Sequence, residues 1–129
     1  MPQTKIYGVS EYLNPIKNQM SAVIHSCFID ALQYPVEKRF HRFFLMDKSD
    51  FIFPSDKSQS YIIIEIIMFE GRSVEAKKNL IRLLFKRISE EFRISHNDIE
   101  ITILETPKHN WGVRGVPGDE LNLGYKVDI

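Results

Sequence analysis

The stretch Ile62-Ile63-Ile64-Glu65-Ile66-Ile67-Met68 constrains the fold more than any other part of the chain. It is short, rich in β-branched residues and apolar at odd and even positions alike, which is the pattern of a strand buried on both faces. Glu65 is the one interruption, and a carboxylate inside such a strand is costly unless it is paired. Arg39 and Arg42 are the expected partners; the alternative is a raised pKa and a chemical task.

Two helices are predicted around this strand. After Asn14-Pro15, an N-cap residue followed by proline at the first helical position, apolar residues recur at Ile16, Met20, Val23, Ile24, Cys27, Phe28, Ala31 and Leu32. That spacing lines one helical face, with His25 off the stripe and Pro35 as the stop. A second helix starts near Ser73 and turns Leu80, Ile81, Leu84, Ile88 and Phe92 inward, leaving Lys77, Lys78, Arg82, Lys86, Arg87, Glu90 and Glu91 on a solvated, ion-paired face. Strands are predicted at Gln3–Val9, Arg39–Met46, Tyr61–Phe69 and Ile99–Glu105.

The chain therefore reads as one domain over 1–129. A first β-α-β unit spans 1–46, a polar linking loop 47–60, a second β-α-β unit 61–106, and a C-terminal segment 107–129. Each helix is long enough to bring its two strands parallel. The predicted fold class is a two-layer α/β arrangement of tandem β-α-β units: a four-stranded sheet with two helices on one face. One helix layer leaves the other sheet face bare, so that face is expected to be covered by further copies of the chain; a ring of three is the attractive version, and the periodicity does not give the number.

Charge and composition exclude several classes. Seventeen basic residues balance seventeen acidic ones, so no net field favours nucleic acid or an anionic membrane. No apolar run is long enough to cross a bilayer, and the N-terminus lacks the apolar core of a signal peptide, so a cytoplasmic protein is expected. Cys27 is the single cysteine and is read as a core thiol; alone it forms neither an internal disulfide nor a cysteine zinc site. His25, His41, His96 and His109 lack metal-ligand spacing, and no metal or other cofactor is expected. Ser95-His96-Asn97-Asp98 reads as a capped turn. The glycine-rich 112–118 segment lacks a P-loop lysine and reads as a mobile segment closing over a pocket or a neighbour.

Two stretches go beyond pattern. Glu70-Gly71-Arg72-Ser73 ends an apolar strand and opens a helix, and the chain begins Met1-Pro2. Together with Asn110-Trp111-Gly112, these resemble the tautomerase superfamily, and the likeness runs over nearly the whole chain. Residues 62–115 look like one short tautomerase subunit, and the full length is similar to the longer members in which two such units are fused. The resemblance implies a homotrimer with one site per subunit, built around an N-terminal proline.

In that reading, loss of Met1 makes Pro2 a secondary amine that acts as general base and acid on a small α-keto or enol acid, a tautomerisation. Arg72 matches the family's arginine and would clamp the substrate carboxylate. Trp111 would supply an apolar wall. The family's second substrate-binding arginine falls near Glu100, so Lys38, Arg39, Arg42 or Arg114 is needed in its place, with Lys38 and Arg39 the leading candidates. The decarboxylase and dehalogenase branches carry another arginine where this chain has Phe69 and Glu70, and the decarboxylase's acidic residue aligns near Lys38. The alternatives are a non-catalytic ligand-binding or interaction protein of the same fold, or a decarboxylase or hydratase using the same pocket.

Overall fold

The computed structural model describes residues 2–129; Met1, on whose removal a free Pro2 amine depends, lies outside the described residues. Strand β1 (Gln3–Val9) runs parallel to β2 (His41–Met46), and β3 (Ile62–Phe69) runs parallel to β4 (Ile99–Thr106). The two units meet through an antiparallel β1–β3 pair, giving the strand order β2-β1-β3-β4. Helices α2 (Lys17–Leu32) and α3 (Val74–Phe92) are the crossovers. The tandem units and the two-layer sheet are as the periodicity implies.

Alternation along β3 places Ile62, Ile64, Ile66 and Met68 under the helices, all with no exposure. They meet Met20, Ile24, Cys27 and Phe28 of α2 and Leu80, Leu84 and Ile88 of α3 in one core. Each such aliphatic side chain contributes about 1.5–3 kcal/mol by leaving water. Cys27 is buried in this core, and burial pushes its thiol up to about 11, so it is a packing residue. The two helices are further tied by Arg87 Nη2, which donates to Asp30 Oδ2 at 2.6 Å.

The opposite face carries Tyr7, Phe44, Ile63, Glu65, Ile67 and Leu104 by strand register. Tyr7 and Phe44 stack there at 4.8 Å, and Phe44 and Leu104 remain 40% and 48% exposed. Glu65 accepts the Tyr7 hydroxyl hydrogen bond at 2.7 Å, not a contact from Arg39 or Arg42; Arg42 reaches Gln3 Oε1 instead, at 3.3 Å. The cross-strand register brings a phenol within reach of the carboxylate, and a phenol suffices to pair it.

Local details depart from the sequence reading at the helix ends. The chain winds up before Asn14: α1 (Ser10–Leu13) follows β1 directly, and Pro15 sits in a 3₁₀ turn, Asn14–Ile16, ahead of α2. Leu13 anchors that early turn in the core and packs close over Gly8, where a Cβ would stand 2.9 Å from Leu13 Cδ2 and oblige that side chain to shift. Helix α2 ends at Leu32 because Gln33 adopts a left-handed φ of 52°, and α3 ends the same way at Arg93, with φ 55°.

The linking loop is less polar in structure than in composition. Phe51, Phe53 and Tyr61 pack ring to ring at 5.0–5.4 Å, and Ser58 donates through its backbone N–H and hydroxyl to the buried Asp98 carboxylate, at 2.8 and 2.6 Å. Asp98 thus belongs to a loop anchor, in keeping with the capped turn at residues 95–98. The glycine-rich segment is a small hairpin, β5 (Gly112–Val113) paired with β6 (Val116–Pro117), turning on the positive φ of Arg114 and Gly115. No helix among the described residues is long and apolar enough to cross a membrane.

Candidate active site

One end of the sheet gathers the residues of interest. Strand β1 begins where β3 and β4 finish, and continuing the β1–β3 register by one residue sets Pro2 opposite Met68, four residues before Arg72. Pro2 is buried at this end. Arg72 lies in the turn between β3 and α3, just after Gly71, whose φ of 131° is closed to most side chains. Ser73 then caps α3 by accepting from the Ala76 N–H at 3.1 Å.

Arg72 is only 4% exposed, and its Nε, Nη1 and Nη2 have no hydrogen-bond partner among the described residues. A buried guanidinium in that state costs several kcal/mol. Burial draws its pKa below the ordinary value, and the neighbouring Tyr125, Tyr34 and Glu105 oppose that shift. Lys77 occupies one oxygen of Glu105 at 2.7 Å, while the other, Oε2, is buried without a partner. The guanidinium is shielded from water and makes no hydrogen bond among the described residues, with the Glu105 carboxylate acting on it only through its charge.

Two tyrosines that the sequence reading passed over complete the group. Tyr34 follows α2 and is 3% exposed; its ring meets Tyr125 edge-on at 5.0 Å. Both hydroxyls are buried and make no hydrogen bond of ordinary geometry among the described residues, though each stands near enough to the other, and Tyr125 to Arg72, to act on its proton. Tyr34 directly precedes a proline and Tyr125 lies in a C-terminal stretch of no periodicity, so neither carries a pattern that marks a site. The C-terminal segment is strapped down by Ser73 Oγ, which donates to the Ile129 carbonyl at 2.8 Å, and by Val127, which would stand 3.0 Å from a Cβ on Gly71. A cleft of about 470 Å³ lies outside it, lined by Glu70, Gly71, Lys108, Tyr125 and Val127 among others.

The remaining expected site residues fall in different places. Lys38 is brought in, its Nζ 5.4 Å from the centre of the Tyr125 ring. Arg39 is exposed and is felt at His41, whose protonation it opposes. Trp111 packs edge-on against Phe69 at 4.9 Å and donates from its indole N–H to Thr106 Oγ1. Phe69 and Thr106 both belong to the bare face by register, so within one subunit Trp111 stands on the other side of the sheet from Met68. Arg42 is on the bare face and Arg114 is exposed in the hairpin turn.

Behind Pro2 on the helix side lies a buried polar row: Thr4, His41 and His25. Thr4 Oγ1 is unpartnered; His41 Nδ1 meets Ser21 Oγ at 2.7 Å; His25 Nε2 donates to the Val36 carbonyl at 2.7 Å. His25 is 1% exposed, not off the buried face as its helical spacing suggested, because the loop after α2 folds back over that side. Burial first, then His25 and Arg39, lowers the pKa of His41 from 6.5 to about 4. The unfolded chain takes up that proton near pH 6.5 and the folded chain only near pH 4, so the unfolded state is the more protonated between them and stability falls as pH falls. Urea unfolding from pH 8 to pH 4 should show a loss on the order of 2–3 kcal/mol that is absent from His41→Asn. An unchanged pH slope in that variant would show that His41 is not buried neutral. Among the described residues no group of three or more His, Cys, Asp or Glu could hold a metal.

Comparison with known proteins bears on this geometry. Residues 38–114 match the profile of a family described as tautomerase enzyme. A 2-hydroxymuconate tautomerase of Comamonas testosteroni is 37% identical over 57 residues, which are 44% of this chain and 90% of that protein. Among solved structures, a fused 4-OT trimer superposes with a TM-score of 0.81 at 17% identity, covering 92% of this chain and 97% of the other. A malonate semialdehyde decarboxylase superposes with a TM-score of 0.76 at 15% identity, covering 86% and 89%. At those identities the structural likeness concerns the fold.

Proposed function

Because the chain belongs to the tautomerase family of enzymes, we propose that it tautomerises a small α-keto or enol carboxylic acid, with Pro2 as general base and acid and Arg72 as the carboxylate clamp. The observation that carries this reading is the buried, unpartnered Arg72 guanidinium at the sheet end where Pro2 begins β1. Its fork of N–H donors fits a carboxylate in two parallel hydrogen bonds, and the anion offsets the cost of the buried charge.

With Met1 removed, the neutral Pro2 nitrogen takes a proton from the carbon beside the carbonyl or from the enol hydroxyl. The electron pair moves into the conjugated oxygen system, and the same proton is returned to the other position. No oxidant, reductant or cofactor enters the balance. Arg72 holds the negative charge that develops on the oxygens, and burial strengthens that interaction. Lys38, and Arg39 beside it, add positive potential at the mouth, and Trp111, on the other sheet face, is an apolar wall for the site of a neighbouring subunit. The reading takes the enzyme to work in the cytoplasm.

The assembly proposed is a homotrimer, with the bare face of Tyr7, Phe44, Ile63, Ile67 and Leu104 packed against neighbours. A fused 4-OT of the same fold is described as a trimer. Light scattering should return about three times the 15.1 kDa chain mass, and Leu104→Lys should shift it toward one. A monomeric wild type would remove the proposed cover.

The test of function is loss of the ultraviolet absorbance of 2-hydroxymuconate, with product analysis, using protein whose intact mass shows Met1 gone. Conversion to the keto isomer supports the reading. No conversion by such protein, or release of CO₂ instead of isomerisation, ends it. Retention of Met1 in protein from its own cells leaves the Pro2 nitrogen an amide, and then favours a binding protein of the same fold.

A further inference from the structure

The Tyr34–Tyr125 pair is not needed for the chemistry above, yet it is built with care. Tyr34 stands where α2 stops, held among Phe28 and His25 at ring distances of 6.5 and 6.2 Å. Tyr125 comes from the far end of the chain, and the Ser73–Ile129 hydrogen bond and the Val127–Gly71 contact hold its segment against the Arg72 turn. Two phenol hydroxyls and a guanidinium thereby share one buried neighbourhood, near enough to act on one another, yet none makes a hydrogen bond of ordinary geometry among the described residues. An ordinary packing aromatic at either position is phenylalanine, which avoids the desolvation cost of an unmade hydrogen bond, about 1–3 kcal/mol each. The pair makes sense when a ligand supplies the missing acceptor.

We propose that Tyr34 and Tyr125 contact substrate, their hydroxyls donating to the oxygen on the carbon next to the carboxylate that Arg72 holds. The site then selects 2-oxygenated acids and rejects the same acid without that oxygen. This deepens the carboxylate-clamp reading and rests on it. The chemistry is consistent: burial raises the pKa of both phenols, so both remain protonated donors at neutral pH. A site that hydrogen-bonds a substrate oxygen also discriminates strongly, because the analogue without it leaves buried donors unpaired. Lys38, over the Tyr125 ring, keeps the C-terminal segment positive on its outer side. Tyr125 also lines the outer cleft, so it stands between solvent and Arg72.

The experiment compares equilibrium binding of phenylpyruvate and 3-phenylpropionate, two acids that differ in the 2-oxygen, by titration calorimetry. The proteins are the wild type, Tyr34→Phe, Tyr125→Phe and Arg72→Gln. Wild type should prefer phenylpyruvate by at least about tenfold. Each tyrosine variant should lose several-fold of that preference while binding 3-phenylpropionate as the wild type does, since the ring and the guanidinium remain. Arg72→Gln should weaken both acids. Preference unchanged in both tyrosine variants, or absent in the wild type, overturns the proposal. Undiminished binding of 3-phenylpropionate by Arg72→Gln overturns the carboxylate clamp itself, an outcome separate from failure of the tyrosine pair.

Discussion

Pro2→Ala is expected to lower kcat for an enol acid on the order of 10²–10³-fold, with KM little changed. The reasoning is positional. A general base contributes about 10²–10⁴ when its lone pair is held on the proton it moves, and the pyrrolidine ring of Pro2 is buried at the start of β1, which fixes the direction of its nitrogen. Alanine at the same place offers an amine without that restraint. Arg72 still binds the carboxylate, so the loss falls on turnover. The pH profile gives an independent readout. A free α-amino group titrates near about 8; burial at the start of β1 disfavours its charged form, so the rising limb of kcat/KM should lie below that value. Turnover undiminished in Pro2→Ala would remove Pro2 from the mechanism.

Arg72→Met should change stability and activity in opposite directions. In the ligand-free protein the guanidinium is 4% exposed and has no hydrogen-bond partner among the described residues. Replacing such a buried charge with an apolar side chain of similar length is expected to stabilise the fold by about 1–4 kcal/mol, read as a rise in the urea midpoint. The same change removes the donors that hold developing negative charge, and kcat/KM should drop about 10²–10³-fold. A destabilised variant would mean that Arg72 has structural partners in the assembly, and full activity would mean that the carboxylate is held elsewhere. The opposition of the two effects is a signature of a group kept for its ligand.

Much of the fold is legible in the chain because its signals are periodic. The doubly apolar Ile62–Met68 run, the spaced residues of α2 and α3 and the capping Ser73 each follow from one local rule. Glu65 was harder: its partner Tyr7 is 58 positions away and is found only through the β1–β3 register. His25 looked exposed because helical spacing accounts for neighbours on the sheet and not for a loop returning over the side of the helix. In the candidate site, Arg72 stands out only through the likeness of Glu70-Gly71-Arg72-Ser73 to the tautomerase superfamily. Lys38 was within reach of the same argument. Tyr34 and Tyr125 were not, since they meet through the C-terminal segment, which alternates no faces and caps no helix.

The antiparallel pairing of β1 with β3 has a consequence for how many reactive ends one polypeptide possesses. The two units point in opposite directions, so the start of β1 and the start of β3 lie at opposite edges of the molecule. The first follows directly on Pro2; the second is mid-chain, its nitrogen bound up in a peptide bond beside Phe51, Phe53 and Tyr61. On the proposed reading, one polypeptide of two tandem units therefore offers its base at one corner only, and the opposite corner is filled with aromatic rings. That corner holds the ring cluster of Phe51, Phe53 and Tyr61, through which the largely exposed linking segment is tied to the second unit.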